Sequence, residues 1–209
     1  MTTPTSPPSS SAFFRLDSVR YLSNFLVRRR VAISFILFSL IVATEMLLGV
    51  GWHRVNFNSD ILFGAAVTLV MLGVGIRSWA AGTIRKNSEL ASVGAYSLCR
   101  HPLYLGTFLM VAGFCLGTQP LFNLPIVAPF VFLIYLCTIR SEEAKLAQLF
   151  GDAWKSYSAT TSRLIPNLLR SKLKFSSWSA KQWWQNREYE AVLATVAGVG
   201  GMFAWYLFG

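Results

Sequence analysis

The chain has 209 residues, 54% of them hydrophobic and 13% charged, with a mean hydropathy of +0.47; so little polar surface excludes a soluble globule of this size and points to an integral membrane protein. Lys and Arg (19) exceed Asp and Glu (9) by +10, but the excess lies beside apolar segments, which favours anionic lipid over nucleic acid as its partner. The three cysteines, without CxxC spacing or a histidine cluster, argue against both a disulfide framework and a metal site.

Residues 1–11 are rich in Thr, Pro and Ser, carry no charged side chain, and read as a disordered tail without the pattern of a cleaved signal peptide. In 12–30 the residues Phe13, Leu16, Val19, Leu22, Phe25 and Leu26 recur at helical spacing around Arg15, Asp17 and Arg20. This predicts a helix lying in the membrane interface. The membrane core covers 31–166. Spans are predicted at 31–51 and 60–81, each close to the roughly 20 residues that cross ~30 Å of hydrocarbon. A third helix, 103–117, offers only about 15 residues, or ~22 Å, and falls short of a full crossing. Gly117-Thr118-Gln119-Pro120 then supplies a turn, and 121–139 returns the chain as the second arm of a helical hairpin.

Beyond the hairpin, Leu146, Phe150, Trp154 and Tyr157 share one face of a charged helix in which Gly151 is a weak point. Residues 167–187 interleave Trp178, Trp183 and Trp184 with Lys181 and Arg187, the composition of an interfacial anchor. Residues 188–209 carry the last span, near 191–208. The fold class is therefore an all-α integral membrane protein, a bundle of about five helices that includes a short hairpin, with interfacial amphipathic helices beside it.

Orientation follows from the basic residues. Arg28, Arg29 and Arg30 precede the first span, Arg85, Lys86 and Arg100 precede the hairpin, and Arg140, Lys145, Lys155, Arg163, Arg170, Lys172 and Lys174 follow it. The positive-inside rule puts the N-terminus and both ends of the hairpin in the cytosol. Arg77 lies within the second span, where an ionisable residue points to function, but near its cytosolic end, where snorkelling is the favoured reading. Gly73-Val74-Gly75 is half of a dinucleotide fingerprint, but on a membrane helix it serves close packing. Ala197 and Gly201 form a small-xxx-small pair suited to packing, including against a second copy in a homodimer.

Two polar clusters meet at the cytosolic end of the hairpin. Pro102 suits the first turn of the third helix, leaving the amides of Leu103, Tyr104 and Leu105 to face the cytosol, with Arg100 and His101 adding donors for an anion. Glu142 and Glu143 are expected at the C-terminus of the returning helix, where the dipole is already negative, a local conflict that marks a cation site. A ligand with both a carboxylate and a cation satisfies both ends, and S-adenosylmethionine is such a molecule. Cys99, beside the site, has no evident activating base.

Gly94-Ala95-Tyr96, Arg100-His101-Pro102-Leu103-Tyr104-Leu105-Gly106, Glu142-Glu143, Phe150-Gly151 and Arg163-Leu164-Ile165-Pro166 together resemble the isoprenylcysteine carboxyl methyltransferase and phospholipid methyltransferase superfamily, over 90–166 and in the same order. The resemblance implies an S-adenosylmethionine-dependent methyltransferase that acts on a lipophilic acceptor, a lipid or prenylated small molecule with a carboxylate or amine. It assigns cofactor binding to Leu90, Ala91, Tyr96, His101, Pro102, Leu103, Tyr104 and Glu142. Thr138 stands where the isoprenylcysteine enzymes carry a substrate-handling Arg, with Arg140 as the substitute, and Trp154 stands where a Tyr is more usual. Arg140 and Glu143 are the candidate catalytic residues, with Arg140 or Arg100 to orient the acceptor's anionic group and Glu143 or His101 as the base an amine would need; no metal is assigned. The rival readings are an NADPH-dependent membrane reductase of a sterol-like lipid, disfavoured because adjacent acids repel a cofactor phosphate, and a non-catalytic lipid-binding membrane protein.

Overall fold

The structure is a computed structural model that describes residues 57–85, 89–117, 123–166, 174 and 178–208. Among them it is all-helical: α1 (Phe57–Thr83), a 3₁₀ turn (Gly94–Ser97), α2 (Pro102–Gly117), α3 (Asn123–Thr160), α4 (Ala180–Gln185) and α5 (Glu188–Phe208). The tail 1–11, the interfacial helix expected in 12–30 and the span at 31–51 lie outside the described residues.

In α1 the stretch Ile61–Thr83, 23 residues long, is the one helix among the described residues long and apolar enough to cross a membrane. Its composition is apolar nearly all round, with Ile61, Met71 and Leu72 more than half exposed. Its other side is built from small residues because it meets α2 backbone to backbone. A Cβ on Gly73 would stand 2.5 Å from the Gly106 carbonyl oxygen, one on Gly106 would stand 2.5 Å from that of Gly73, and one on Gly113 would stand 2.6 Å from that of Ala66. Pairing 73 with 106 and 66 with 113 makes the two helices antiparallel, in contact along small residues, as helices pack where no water drives them together. The packing role expected of Gly73 is thus observed, whereas Gly75 has nothing within 4 Å of a Cβ.

The second arm of the hairpin is longer than the sequence suggests. α3 starts at Asn123 and stays helical through 38 residues to Thr160, interrupted only by non-helical backbone at Gly151 (φ 48°, ψ −117°). Glu142 and Glu143 therefore sit in mid-helix and not at a C-terminus, which corrects the dipole conflict inferred above. Their charges are answered by side chains, not by the end of a helix. α3 runs antiparallel to α2, with Tyr104, Cys115, Val127, Val131, Tyr135 and Ile139 forming their shared core. At Gly151 the positive φ, which only glycine adopts without strain, turns the last segment back so that Trp154 is buried and Tyr157 half-buried.

α5 packs against both α1 and α2, where Met202 meets Phe63 and Ala66 beside Phe114 and Leu116, a Cβ on Gly198 would stand 2.8 Å from the Phe114 ring, and Phe203 meets the Phe63 ring edge to face at 4.9 Å. Ala197 and Gly201 are exposed. The corner before α5 docks on the end of α1: Ser179 N–H donates to the Gly82 carbonyl at 3.0 Å, and the Trp178 indole donates to that of Ser78 at 3.0 Å. Asn186 Nδ2 donates to the carbonyls of Ala81 and Ile84 at 2.8 and 3.1 Å. These bonds satisfy carbonyls that a helix end leaves open. Trp178, half exposed, thus clasps the end of α1, while Trp184 is 63% exposed.

Candidate active site

The antiparallel hairpin brings the start of α2 against the middle of α3. The Tyr104 hydroxyl donates to Glu142 Oε1 at 2.6 Å. His101 Nε2 lies 3.3 Å from Glu143 Oε1, and its Nδ1 lies 4.0 Å from Glu142 Oε2. His101, just before α2, and Tyr104 in its first turn thus contact two successive residues of α3. His101 also stacks on Tyr104, with ring centroids 5.6 Å apart.

Two guanidiniums neutralise Glu143. Arg163 binds it in a fork, Nε to Oε1 at 3.1 Å and Nη2 to Oε2 at 2.7 Å, and Arg100 Nη1 lies 2.9 Å from Oε1. Arg100 also lies over the Trp154 ring, 5.8 Å from its centroid, so the Trp at this position is a platform for a cation. The backbone is stitched in parallel, since Arg100 N–H donates to the Ser162 carbonyl at 2.8 Å and His101 N–H to that of Arg163 at 3.2 Å. The Tyr157 hydroxyl donates to the Tyr96 carbonyl at 2.7 Å. The segment after Gly151 therefore folds back as the outer wall of the site.

Burial pushes the Glu143 carboxyl up, but the Arg163 hydrogen bond, the Arg100 charge and the His101 contact outweigh it and hold the group below the usual carboxylate range. Such a carboxylate is a poor base. For His101, burial outweighs the opposing pull of Glu143 and Glu142 and lowers the imidazole below its ordinary 6.5, so it is neutral at pH 7. Burial, with the neighbouring Tyr157 and Glu142, raises Tyr96 well above its ordinary value, keeping its hydroxyl a donor. Cys99 is 1% exposed, and burial pushes its thiol up to about 11; it is no nucleophile, as its lack of a base suggests. The charged side chains here are two arginines and two glutamates, a balanced set.

Of the residues named from sequence, His101, Pro102, Tyr104 and Tyr96 are buried at this site, and 43% of the Glu142 side chain is exposed. Ala91 and Leu103 pack against the cluster of Ala80, Ala95 and Tyr96, and Leu90 is half-buried beside Ala91 in the chain. Two expectations change. The amides of Tyr104 and Leu105 both donate to the His101 carbonyl at 3.1 Å, so the helix start offers less to an anion than its sequence implies. Arg140 is exposed on α3, and the cationic positions about Glu143 are filled by Arg100 and Arg163 instead. Thr138 is fully buried and turns its hydroxyl back to the Ile134 carbonyl at 3.0 Å. Sequence reasoning gave Arg163 no role of its own; its one signal was its place in the Arg-Leu-Ile-Pro run.

Two buried polar atoms, Tyr96 Oη and Arg100 Nε, have no hydrogen-bond partner among the described residues. Orphaned polar atoms of this kind are completed by water or by a bound ligand. A donor hydroxyl, a guanidinium edge and the accessible Glu142 carboxylate fit a molecule that carries an anionic group and a cation together.

An apolar cleft of about 990 Å³ adjoins this polar cluster between α2 and α3, lined by Leu105, Phe108, Val111, Pro129, Val131 and Phe132 together with Ser162, Arg163, Leu164 and Ile165. An aromatic ladder joins the two: Tyr104 meets Tyr135 at 5.2 Å, and Phe108 meets Tyr135 at 5.5 Å and Phe132 at 5.7 Å. Arg163 belongs to both.

The phospholipid methyltransferase family model matches residues 61–153. The cobalt-zinc-cadmium resistance protein CzcN of Cupriavidus metallidurans is 34% identical over 155 residues, 71% of this chain and 69% of that protein. The nickel-cobalt-cadmium resistance protein NccN of Alcaligenes xylosoxydans xylosoxydans is 31% identical over 149 residues, 70% of this chain and 69% of that protein. The protein-S-isoprenylcysteine O-methyltransferase of Schizosaccharomyces pombe is 30% identical over 129 residues, 54% of this chain and 52% of that protein. No solved structure gives a significant match.

Proposed function

The chain belongs to the isoprenylcysteine carboxyl methyltransferase and phospholipid methyltransferase superfamily, and on that premise we propose that it is an integral membrane methyltransferase that takes a methyl group from S-adenosylmethionine and gives it to a lipophilic acceptor at the cytosolic face. The observation that carries this reading is the meeting of a charge-balanced polar cluster with an apolar cleft through one shared residue, Arg163. The exposed apolar surface of α1 and the basic residues around the site support the membrane placement and its orientation.

Tyr96, His101, Tyr104, Glu142 and Arg100 would hold the cofactor, which when bound supplies a methyl group on a sulfonium, an electrophile that needs no acid to leave. Glu142 offers negative charge to the cationic part, and Arg100 Nε offers a donor to an anionic part. Leu103 and Ala91 supply apolar contact. The acceptor would occupy the cleft with its chain along Phe108 and Phe132 and its reacting group at the Arg163 end, and the aromatic ladder would keep water from the junction. Glu143, held by two arginines, acts as the post that fixes them and not as a base. Neutral His101 is the proton acceptor available to an amine.

The charge balance weakens the electrostatic argument against NADPH, because Arg100 and Arg163 answer one of the two acids; family membership now carries that distinction. For the metal-resistance names of two relatives, the carboxylates here are engaged by arginines and a tyrosine, so we assign any such role to a methylated membrane component and not to ion capture at this site. Titration calorimetry of the detergent-purified protein with S-adenosylmethionine, NADPH and Zn²⁺ tests the reading. Heat with the first alone is expected, and silence with it overturns the proposal. Membranes incubated with methyl-labelled S-adenosylmethionine would then identify the acceptor by the labelled lipid.

A further inference from the structure

Arg77 does not snorkel. Its Nε lies 2.8 Å from Glu188 Oε1 and its Nη2 lies 3.0 Å from Oε2, a two-pronged pair in which the Glu188 side chain is 4% exposed and that of Arg77 is 21% exposed. The remaining nitrogen, Nη1, donates to Thr107 Oγ1 at 2.6 Å and to the Leu103 carbonyl at 3.4 Å. One guanidinium thus joins α1, the first turns of α2 and the start of α5. The absence of a side chain on Gly106 makes room for it, since a Cβ there would stand 2.6 Å from Arg77 Cγ.

Glu188 is aimed at this point by everything before it. Asn186 and Ser179 cap the end of α1, and Arg187, between Asn186 and Glu188, adopts φ 56°, a left-handed conformation that costs a non-glycine residue energy. A buried ion pair adds little net stability over apolar side chains of the same size, but it fixes geometry through directional bonds. What this pair fixes is Leu103, whose side chain packs on the cluster of Ala80, Ala95 and Tyr96 and whose neighbour Tyr104 holds Glu142. The match to the phospholipid methyltransferase family ends at residue 153, well before Glu188.

We propose that Glu188 and Arg77 are positioning residues for the cofactor pocket: the C-terminal helix, through this pair, sets the place of the α2 first turn against Tyr96 and Glu142. The proposal rests on the cofactor reading above. It assigns to the segment beyond the family match a part in the site that touches none of the reacting atoms.

The test compares the full-length wild type with the double variant Arg77→Met/Glu188→Leu and with Thr107→Val, which leaves the ion pair in place. Three quantities are read: the thermal midpoint, the amide hydrogen exchange of the α2 first turn without cofactor, and the Kd for S-adenosylmethionine. The double variant should keep its midpoint within a few degrees, exchange about tenfold faster over 103–107, and bind about tenfold more weakly. Thr107→Val should shift both in the same direction by about threefold. Unchanged exchange in both variants overturns the proposal whether or not the cofactor binds. Faster exchange with an unchanged Kd overturns it as well. Faster exchange in the variants of a wild type that binds no S-adenosylmethionine upholds the clamp on α2 and sinks the cofactor reading instead. Should the double variant fail to fold, Thr107→Val decides by the same two readings.

Discussion

Adjacent glutamates in the site should answer the same substitution in opposite ways. Glu143 has 12% of its side chain exposed and receives the Arg163 fork, the Arg100 ion pair and the His101 contact. Glu143→Gln removes the charge and leaves two guanidiniums facing each other. Arg163, 45% exposed, is largely resolvated by water, so its share of the loss is under about 1 kcal/mol. Arg100, 15% exposed and with its Nε already orphaned, is not, and a partly buried charge stripped of its partner costs about 2 kcal/mol more. A total near 2–3 kcal/mol corresponds to a fall in the midpoint of roughly 5–10 °C for a chain of this length. Glu142 is 43% exposed, and Gln at that position still accepts the Tyr104 hydroxyl, so Glu142→Gln should lower the midpoint by no more than about 2 °C. It should nevertheless weaken S-adenosylmethionine at least about tenfold, because a carboxylate facing a cation is replaced by a neutral amide. Thermal unfolding in detergent and calorimetry on the same preparations read both quantities. Equal midpoint losses in the two variants, or a larger loss in Glu142→Gln, would refute the division of labour between a structural and a binding carboxylate.

Gly106→Leu forces a side chain onto the Gly73 carbonyl oxygen and Arg77 Cγ, which must separate α1 from α2; the expected result is loss of monodisperse protein on size-exclusion chromatography, while Gly75→Leu, with nothing near its Cβ, is tolerated. Gly151→Ala places a Cβ at φ 48°, ψ −117° and should cost about 1–3 kcal/mol by thermal unfolding, with no clash to relieve because the position is open. His101 titrates with a folded-state value below its ordinary 6.5, so between those two values the unfolded chain binds more protons; stability should be level above pH 6.5 and fall as the pH drops below it. His101→Asn should flatten that part of the midpoint-against-pH curve, and an unchanged slope would show that another group titrates there.

The hairpin and its polar end were legible in the sequence because they rest on local rules: an apolar stretch, a Pro at a helix start, a turn, and acids where the chain returns. Gly151 announced its own kink. The position of Glu142 and Glu143 within the helix was not legible, since the change from apolar to charged residues after Ile139 marks the edge of the hydrocarbon equally well whether or not the helix continues. Arg77 was misjudged for a related reason. Near a membrane surface, snorkelling satisfies an arginine from sequence alone, and its partner Glu188 stands 111 positions away.

The amino-acid sequence by itself determined that this chain is helical, apolar enough for a membrane, and of a methyltransferase family by its motif order, because composition, periodicity and motif order are properties of neighbours along the chain. Only the tertiary structure decided what each charge does. Ion pairing depends on distances of 3–4 Å between groups far apart in sequence, and at that scale Glu143 became the post for two arginines, Arg140 was left outside, and Arg77 found the acid that ties the last helix to the site.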